Sequence, residues 1–188
     1  MKLQKFFPLC AILIFICGCS LFPEHPPLKV NYYDFGTPDK KIESASFNLM
    51  TGKVEGISSY TQKMVFRDSE NQLHFDECNR WFCPPEEMLE AYMTDMFSKK
   101  DNLLVGTTDK NLVVSASIVR LDGDINGKTA NFTVRYEVKD QKSNVVLCGV
   151  YSKSVQLEDM TATSFAKGIA TAVHYTLTEL NEDIKKIK

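Results

Sequence analysis

The chain has 188 residues, with 22 Lys plus Arg against 24 Asp plus Glu and a formal net charge of −2. A length of this order suits one compact domain with a modest core. The slightly acidic balance supplies no basic field for nucleic acid.

At the N-terminus, Lys2 and Lys5 precede an almost unbroken apolar run from Phe6 to Gly18, followed at once by Cys19 and Ser20. A short basic region ahead of an apolar stretch has the form of a secretory signal peptide. The run holds about 13 apolar residues, whereas a helix needs roughly 20 to cross the hydrocarbon core, so a permanent span is not expected. Ile16-Cys17-Gly18-Cys19 resembles the lipobox of bacterial lipoproteins, which implies that residues 1–18 are removed as a lipoprotein signal peptide and that Cys19 becomes the acylated first residue. Several acyl chains on one Cys, each contributing about 0.8 kcal/mol per buried methylene, hold a soluble domain on a membrane where a single chain does so only marginally. Ser20, by resemblance to the sorting rule of enteric bacteria, points to the outer membrane and its periplasmic face. Removal of residues 1–18 takes away Lys2 and Lys5 and no acid, so 20 basic residues then face 24 acidic ones and the net charge becomes −4.

Residues 19–27, the lipidated Cys and the proline-rich SLFPEHPP, read as an extended tether. Residues 28–188 read as the single folded domain. Strand candidates follow at Lys29 to Phe35, Ser44 to Leu49, Val54 to Tyr60, Lys63 to Arg67 and Gln72 to Phe75, the last two forming a hairpin; together they read as an antiparallel set. Pro84 and Pro85 then open a helix running to about Lys99, with Glu86 and Glu87 in the first turn, where acids complement the helix dipole. Its apolar positions Leu89, Tyr92, Met93, Met96 and Phe97 recur at three- and four-residue spacing and mark one buried face.

Beyond a short strand at Leu103 to Val105, three longer ones are expected at Leu112 to Leu121, Thr129 to Val138 and Val145 to Val155. In the second, Ala130, Phe132, Val134 and Tyr136 face one way and Asn131, Thr133, Arg135 and Glu137 the other. The last helix, Ala162 to Lys186, carries Phe165, Ile169, Val173, Leu177, Leu180 and Ile184 on one stripe, with Thr161 or Thr163 as N-cap. The fold class expected is mixed α/β of the α+β kind: a predominantly antiparallel sheet packed by two main helices.

After Cys19 the mature cysteines are Cys78, Cys83 and Cys148, in a compartment where disulfides persist. An odd number leaves one over. Cys78 and Cys83 are expected to pair and close a small loop around Trp81, while Cys148 is expected to behave as a buried small hydrophobe. No metal is expected, because Cys78, Cys83 and His74 match no zinc spacing and lack a fourth ligand.

The run Asp122-Gly-Asp124-Ile-Asn126-Gly127 imitates the first half of a calcium loop, but Thr133 stands where the bidentate carboxylate belongs, and a plain hairpin turn is favoured. His25, His74 and His174 form no recognisable set, no serine lies in a nucleophile elbow, and no cofactor motif is present, so no enzyme is expected. Trp81, in RWFCPP between a hairpin and a helix, either fills the edge of the core or anchors a partner. It is the partner-binding candidate.

Tyr32-Tyr33-Asp34-Phe35-Gly36, the string Arg80-Trp81-Phe82-Cys83-Pro84-Pro85, and the following order of helix, three long strands and helix resemble the ABC-type transport auxiliary lipoproteins, including those encoded beside MCE-type lipid transport systems. The cysteines flanking Trp81 and the region Thr37 to Tyr60 depart from the family pattern. The resemblance implies a non-catalytic component held at the outer membrane, docking an MCE-domain periplasmic protein, with a possible homo-oligomeric ring and a lipid or other hydrophobic cargo. The alternative is a free-standing periplasmic lipid-binding or chaperone lipoprotein with cargo held beside Met88, Met93, Met96, Phe97 and Phe165. A purely structural envelope lipoprotein is the remaining reading.

Overall fold

The computed structural model describes residues 28–38, 41, 47–98 and 111–187. Its elements are β1 (Asn31–Tyr33), β2 (Asn48–Glu55), β3 (Lys63–Arg67), β4 (Leu73–Trp81), α1 (Pro85–Phe97), β5 (Asn111–Asp124), β6 (Thr129–Lys139), β7 (Val145–Gln156) and α2 (Ala162–Ile184). All seven strands join one sheet in the order β1-β4-β3-β5-β6-β7, with β2 beside the first half of β5.

The spine is β5. Its 14 residues are long enough for one edge to serve two strands, β2 along Asn111 to Ser117 and β3 at Gly123 and Asp124, both parallel. Along its other edge β6 runs antiparallel, and β7 follows antiparallel on β6. These two ladders and the β3–β4 hairpin make the sheet predominantly antiparallel, as the composition of its strands suggests. Three shorter pairings, β1·β4, β2·β5 and β3·β5, are parallel.

The N-terminal strand set therefore differs from the sequence expectation. The stretch expected to hold two strands supplies one, β2, and Ile57 to Gln62 form turns instead, closed by Tyr60 N–H donating to Ile57 O at 2.9 Å and Lys63 N–H to Tyr60 O at 2.9 Å. Pairing direction depends on the segment across from a strand and leaves no mark on its own alternation. The strand expected at Leu103 to Val105 and part of the one from Ser44 lie outside the described residues.

Both helices cover one face of the sheet. α1 opens on Pro85 with Glu86 and Glu87 in its first turn and buries Met88, Leu89, Tyr92, Met93, Met96 and Phe97. α2 starts at Thr161, whose hydroxyl accepts the Ser164 N–H at 3.2 Å. It buries Phe165, Ile169, Val173, Leu177, Leu180 and Ile184 on the expected stripe. It crosses β6 closely at Gly168, where an added Cβ would stand 2.7 Å from Ala130 Cβ, so only glycine permits that approach.

Four tyrosines tie α2 down along its length. Tyr33 shares a hydrogen bond with Thr163 (3.4 Å), Tyr92 with His174 Nδ1 (3.2 Å) and Tyr136 with Thr176 (3.3 Å), and Tyr151 donates to Asp183 (2.9 Å). Lys186 and Tyr151 together hold the Asp183 carboxyl below the usual range, the lysine contributing more. Burial, reinforced by the Asp183 charge, pushes the Tyr151 hydroxyl up.

Candidate interaction surfaces

Trp81 ends β4 and is fully buried. It stands in a chain of aromatic rings: Phe35 at 5.5 Å edge-on, Phe165 at 5.7 Å, and Phe66 at 4.8 Å beyond Phe165. These rings come from the segment after β1, from β4, from α2 and from β3, so Trp81 holds four separate elements together. Its indole N–H has no hydrogen-bond partner among the described residues, and the residue acts through volume and ring contact. Its side chain offers no surface to a partner, which removes it as a docking anchor.

The aromatic that does reach the surface is the next residue. Phe82 is 68% exposed, because successive strand residues point to opposite faces. Its backbone N–H donates to Tyr33 O at 2.7 Å, extending the β1·β4 pairing past the end of the strand. Phe82 and Tyr32 line an open groove of about 410 Å³, with Tyr33, Phe35, Ala166 and Ala170 along its length. The alternation rule, applied to Trp81 and Phe82 as neighbours, was the signal available in the sequence.

Cys78 and Cys83 are unbonded thiols, as is Cys148, which is exposed where burial was expected, because it pairs with Glu137 on the side of β7 away from the helices. Cys78 lies in an irregular part of β4, where Asp76 Oδ1 accepts the backbone N–H of both Cys78 and Asn79 at 2.8 and 2.9 Å. Strand residues up to Trp81 then separate it from Cys83, so the expected loop around Trp81 is not closed. Burial, and then the charges of Glu87, Asp34 and Glu86, push the Cys83 thiol up. The acylation site expected at Cys19, the tether and His25 lie outside the described residues.

The second surface is the uncovered side of the β5–β6–β7 ladder. Val113, Ser115 and Ser117 pair across β5·β6 with Lys139, Glu137 and Arg135, and these β6 residues pair onward with Val145, Cys148 and Val150 of β7. Thr133 and Ser152 share a hydrogen bond of 2.8 Å, and Lys139 pairs with Glu137 at 2.6 Å. Val150, 58% exposed, and Val145, 51% exposed, are the large exposed apolar residues of β7 on this face.

β7 is also an edge: among the described residues it pairs with β6 alone. Its single charged residue, Lys153, turns toward the helix side, with its ammonium 3.8 Å from the centre of the Tyr175 ring. Over its 12 residues this edge carries no proline and no outward charge, and its guards against pairing with another chain are the inward-turned Lys153 and the register shift near Val145.

On the same uncovered side, a bulge at Val119 shifts the alternation of β5. Asp122 then lies beneath Arg67 and Arg120, whose Nε atoms donate to it at 3.0 and 2.8 Å, and Asn131 donates at 3.4 Å. The calcium-like run is thus spent on structure. Asp122 is buried in this cluster, and Asp124 accepts the backbone N–H of Asn126 and Gly127 at 2.9 Å in the β5–β6 turn.

The chemistry-bearing groups are dispersed. His74 meets Asp68 at 2.7 Å on an exposed hairpin, holding that carboxyl below its usual range, while His174 is bound to Tyr92 across the two helices. Among the described residues no group of three or more His, Cys, Asp or Glu gathers to hold a metal. Met88, Met93, Met96, Phe97 and Phe165, considered as the lining of a cargo cavity, are packed into the continuous core. No helix among the described residues is long and apolar enough to cross a membrane.

The sequence profile of the ABC-type transport auxiliary lipoprotein component family matches residues 60–184, from the turn before β3 to the end of α2. No curated protein matches the chain. Among solved structures, the crystal structure of an uncharacterized protein superposes with a TM-score of 0.65 at 12% identity, covering 83% of this chain and 99% of that one. Protein XCC0632 from Xanthomonas campestris, of family DUF330, gives 0.60 at 13% identity over 83% and 85%. These two likenesses are of fold.

Proposed function

The chain belongs to the ABC-type transport auxiliary lipoprotein components, and on that premise we propose that it is an outer-membrane-anchored, periplasmic and non-catalytic part of an MCE/ABC-type system that moves lipids or other hydrophobic molecules. Cys19 carries the acyl chains, and residues 20–27 tether the domain to the periplasmic face. The domain docks the periplasmic MCE-domain protein and self-associates into a ring, while ATP is hydrolysed by another component of the system.

The observation that carries this reading is the contrast between a filled interior and an exterior with an open strand edge. The Met and Phe stripe of α1 is spent on the core, whereas the uncovered ladder face and the free edge of β7 are left for another protein. Main-chain pairing along an open edge supplies affinity, and side chains on the adjoining face supply selectivity. Val150 and Arg135, paired across β6 and β7, lie at the centre of that surface.

The test is a photo-crosslinking residue at position 150, in the full-length chain expressed with its neighbouring genes in intact cells. Capture of an MCE-domain protein, together with an oligomeric mass for the purified protein, is expected. Absence of any MCE-domain protein among the captured species, with an unimpaired envelope barrier after gene deletion, would sink the proposal.

A further inference from the structure

We propose that the exposed apolar corner formed by Leu28, Tyr32 and Phe82 rests on the surface of a zwitterionic phospholipid membrane and fixes the tilt of the domain. The inference rests on acylation of Cys19. The three side chains are 74%, 58% and 68% exposed, the most exposed large apolar residues of the described chain together with Val150. They cluster where the described chain begins. Tyr32 and Phe82 line one groove, and Leu28 stands four residues before Tyr32.

Chain length keeps this corner close to the membrane. Eight residues, 20–27, separate Leu28 from Cys19, and the nine residue steps between them span at most about 30 Å in any conformation. A tether of that reach keeps the corner within one domain diameter of the lipid. Acyl chains supply one attachment and an adjacent apolar patch the second, the combination that converts marginal membrane binding into stable binding. Tyr32 suits the interface particularly, with a ring that leaves water and a hydroxyl that does not.

Charge decides which surface. Asp34, Glu86 and Glu87 all act on Cys83 beside the corner, while Lys167 lines the groove, Arg80 pairs in register with Tyr32, and Lys29 follows Leu28. Of these, Asp34 and Lys167 line the groove itself, one acid and one base that leave it without net charge, and that balance fits a neutral lipid surface. The sheet order adds a geometric consequence. β1 and β7 are opposite edges, separated by five strand spacings of about 4.8 Å each. A domain resting on its β1 corner therefore keeps the β7 edge clear of the bilayer.

The experiment uses the full-length acylated protein in vesicles of phosphatidylcholine and phosphatidylethanolamine with brominated acyl chains, comparing Phe82→Trp with Val150→Trp and subtracting the signal of the native Trp81. Quenching about twofold greater at position 82 than at 150 is expected for a side chain roughly 5–10 Å into the interface. Equal quenching at the two positions, in protein whose Cys19 acyl mass is confirmed by mass spectrometry, overturns the corner contact and leaves the anchor standing. Absence of the acyl mass overturns both.

Discussion

The two faces of the β5–β6–β7 ladder are made by the same three strands and do opposite work. Toward the helices stand Ala130, Phe132, Val134, Tyr136 and Val138, all fully buried. Away from them stand Thr133, Arg135, Glu137 and the outward residues of β7, which pair with one another and with β5. Trp81 and Phe82 repeat this contrast within a single dipeptide at the other edge of the sheet. Stability is concentrated on one side of a strand and interaction on the other, so a substitution one residue away has an effect of a different kind.

The sharpest way to break this contrast is to truncate the two neighbouring aromatics. Trp81→Ala, which empties the centre of the aromatic chain, is expected to cost about 3–5 kcal/mol in urea unfolding, while Phe82→Ser stays within about 0.5 kcal/mol. Equal losses would mean that the exterior aromatic is structural too.

Next in size is the buried exception on the uncovered face. Asp122→Ala removes the acceptor shared by Arg67, Arg120 and Asn131, and hydrogen bonds to charged groups are worth about 1.5–3 kcal/mol; a loss in that range is expected by the same measurement. A loss under about 0.5 kcal/mol would show the cluster to be a solvated surface pair. On the covered side, Thr161→Ala deletes the N-cap of α2 and is expected to cost about 1 kcal/mol, with Thr161→Ser restoring most of it.

The smallest effect concerns thiols. Cys78, Cys83 and Cys148 are expected to take up three equivalents of alkylating reagent in the unfolded, unreduced chain. Because the raised Cys83 value keeps its thiol protonated, its alkylation in the folded protein is expected to rise only above the ordinary thiol range, near pH 8.5. Uptake of one equivalent would instead establish the Cys78–Cys83 bridge.

Much of the architecture was legible from periodicity. The stripe from Phe165 to Ile184, the Pro85 start of α1, the alternation of β6 and the turn at Asp124 are local patterns that hold in almost any surrounding. The region from Thr37 to Gln62 was less legible. Its strand pairs in parallel with a segment some 60 residues later, and nothing in Asn48–Glu55 distinguishes that partner from an antiparallel one. Phe82 was less legible because which of two neighbouring aromatics is covered depends on the side from which Phe165 of α2 arrives.

By itself the sequence determined an apolar N-terminal run ending at Cys19, two helices with their buried faces, three long strands and the resemblance that the family profile bears out. Those features depend on spacing along the chain. Only the tertiary structure decided that Trp81 is core and Phe82 surface, that Asp122 binds two arginines, and that β7 is left as an open edge. The fate of such residues is settled by which distant segment arrives beside them, and that depends on the packing of the whole sheet.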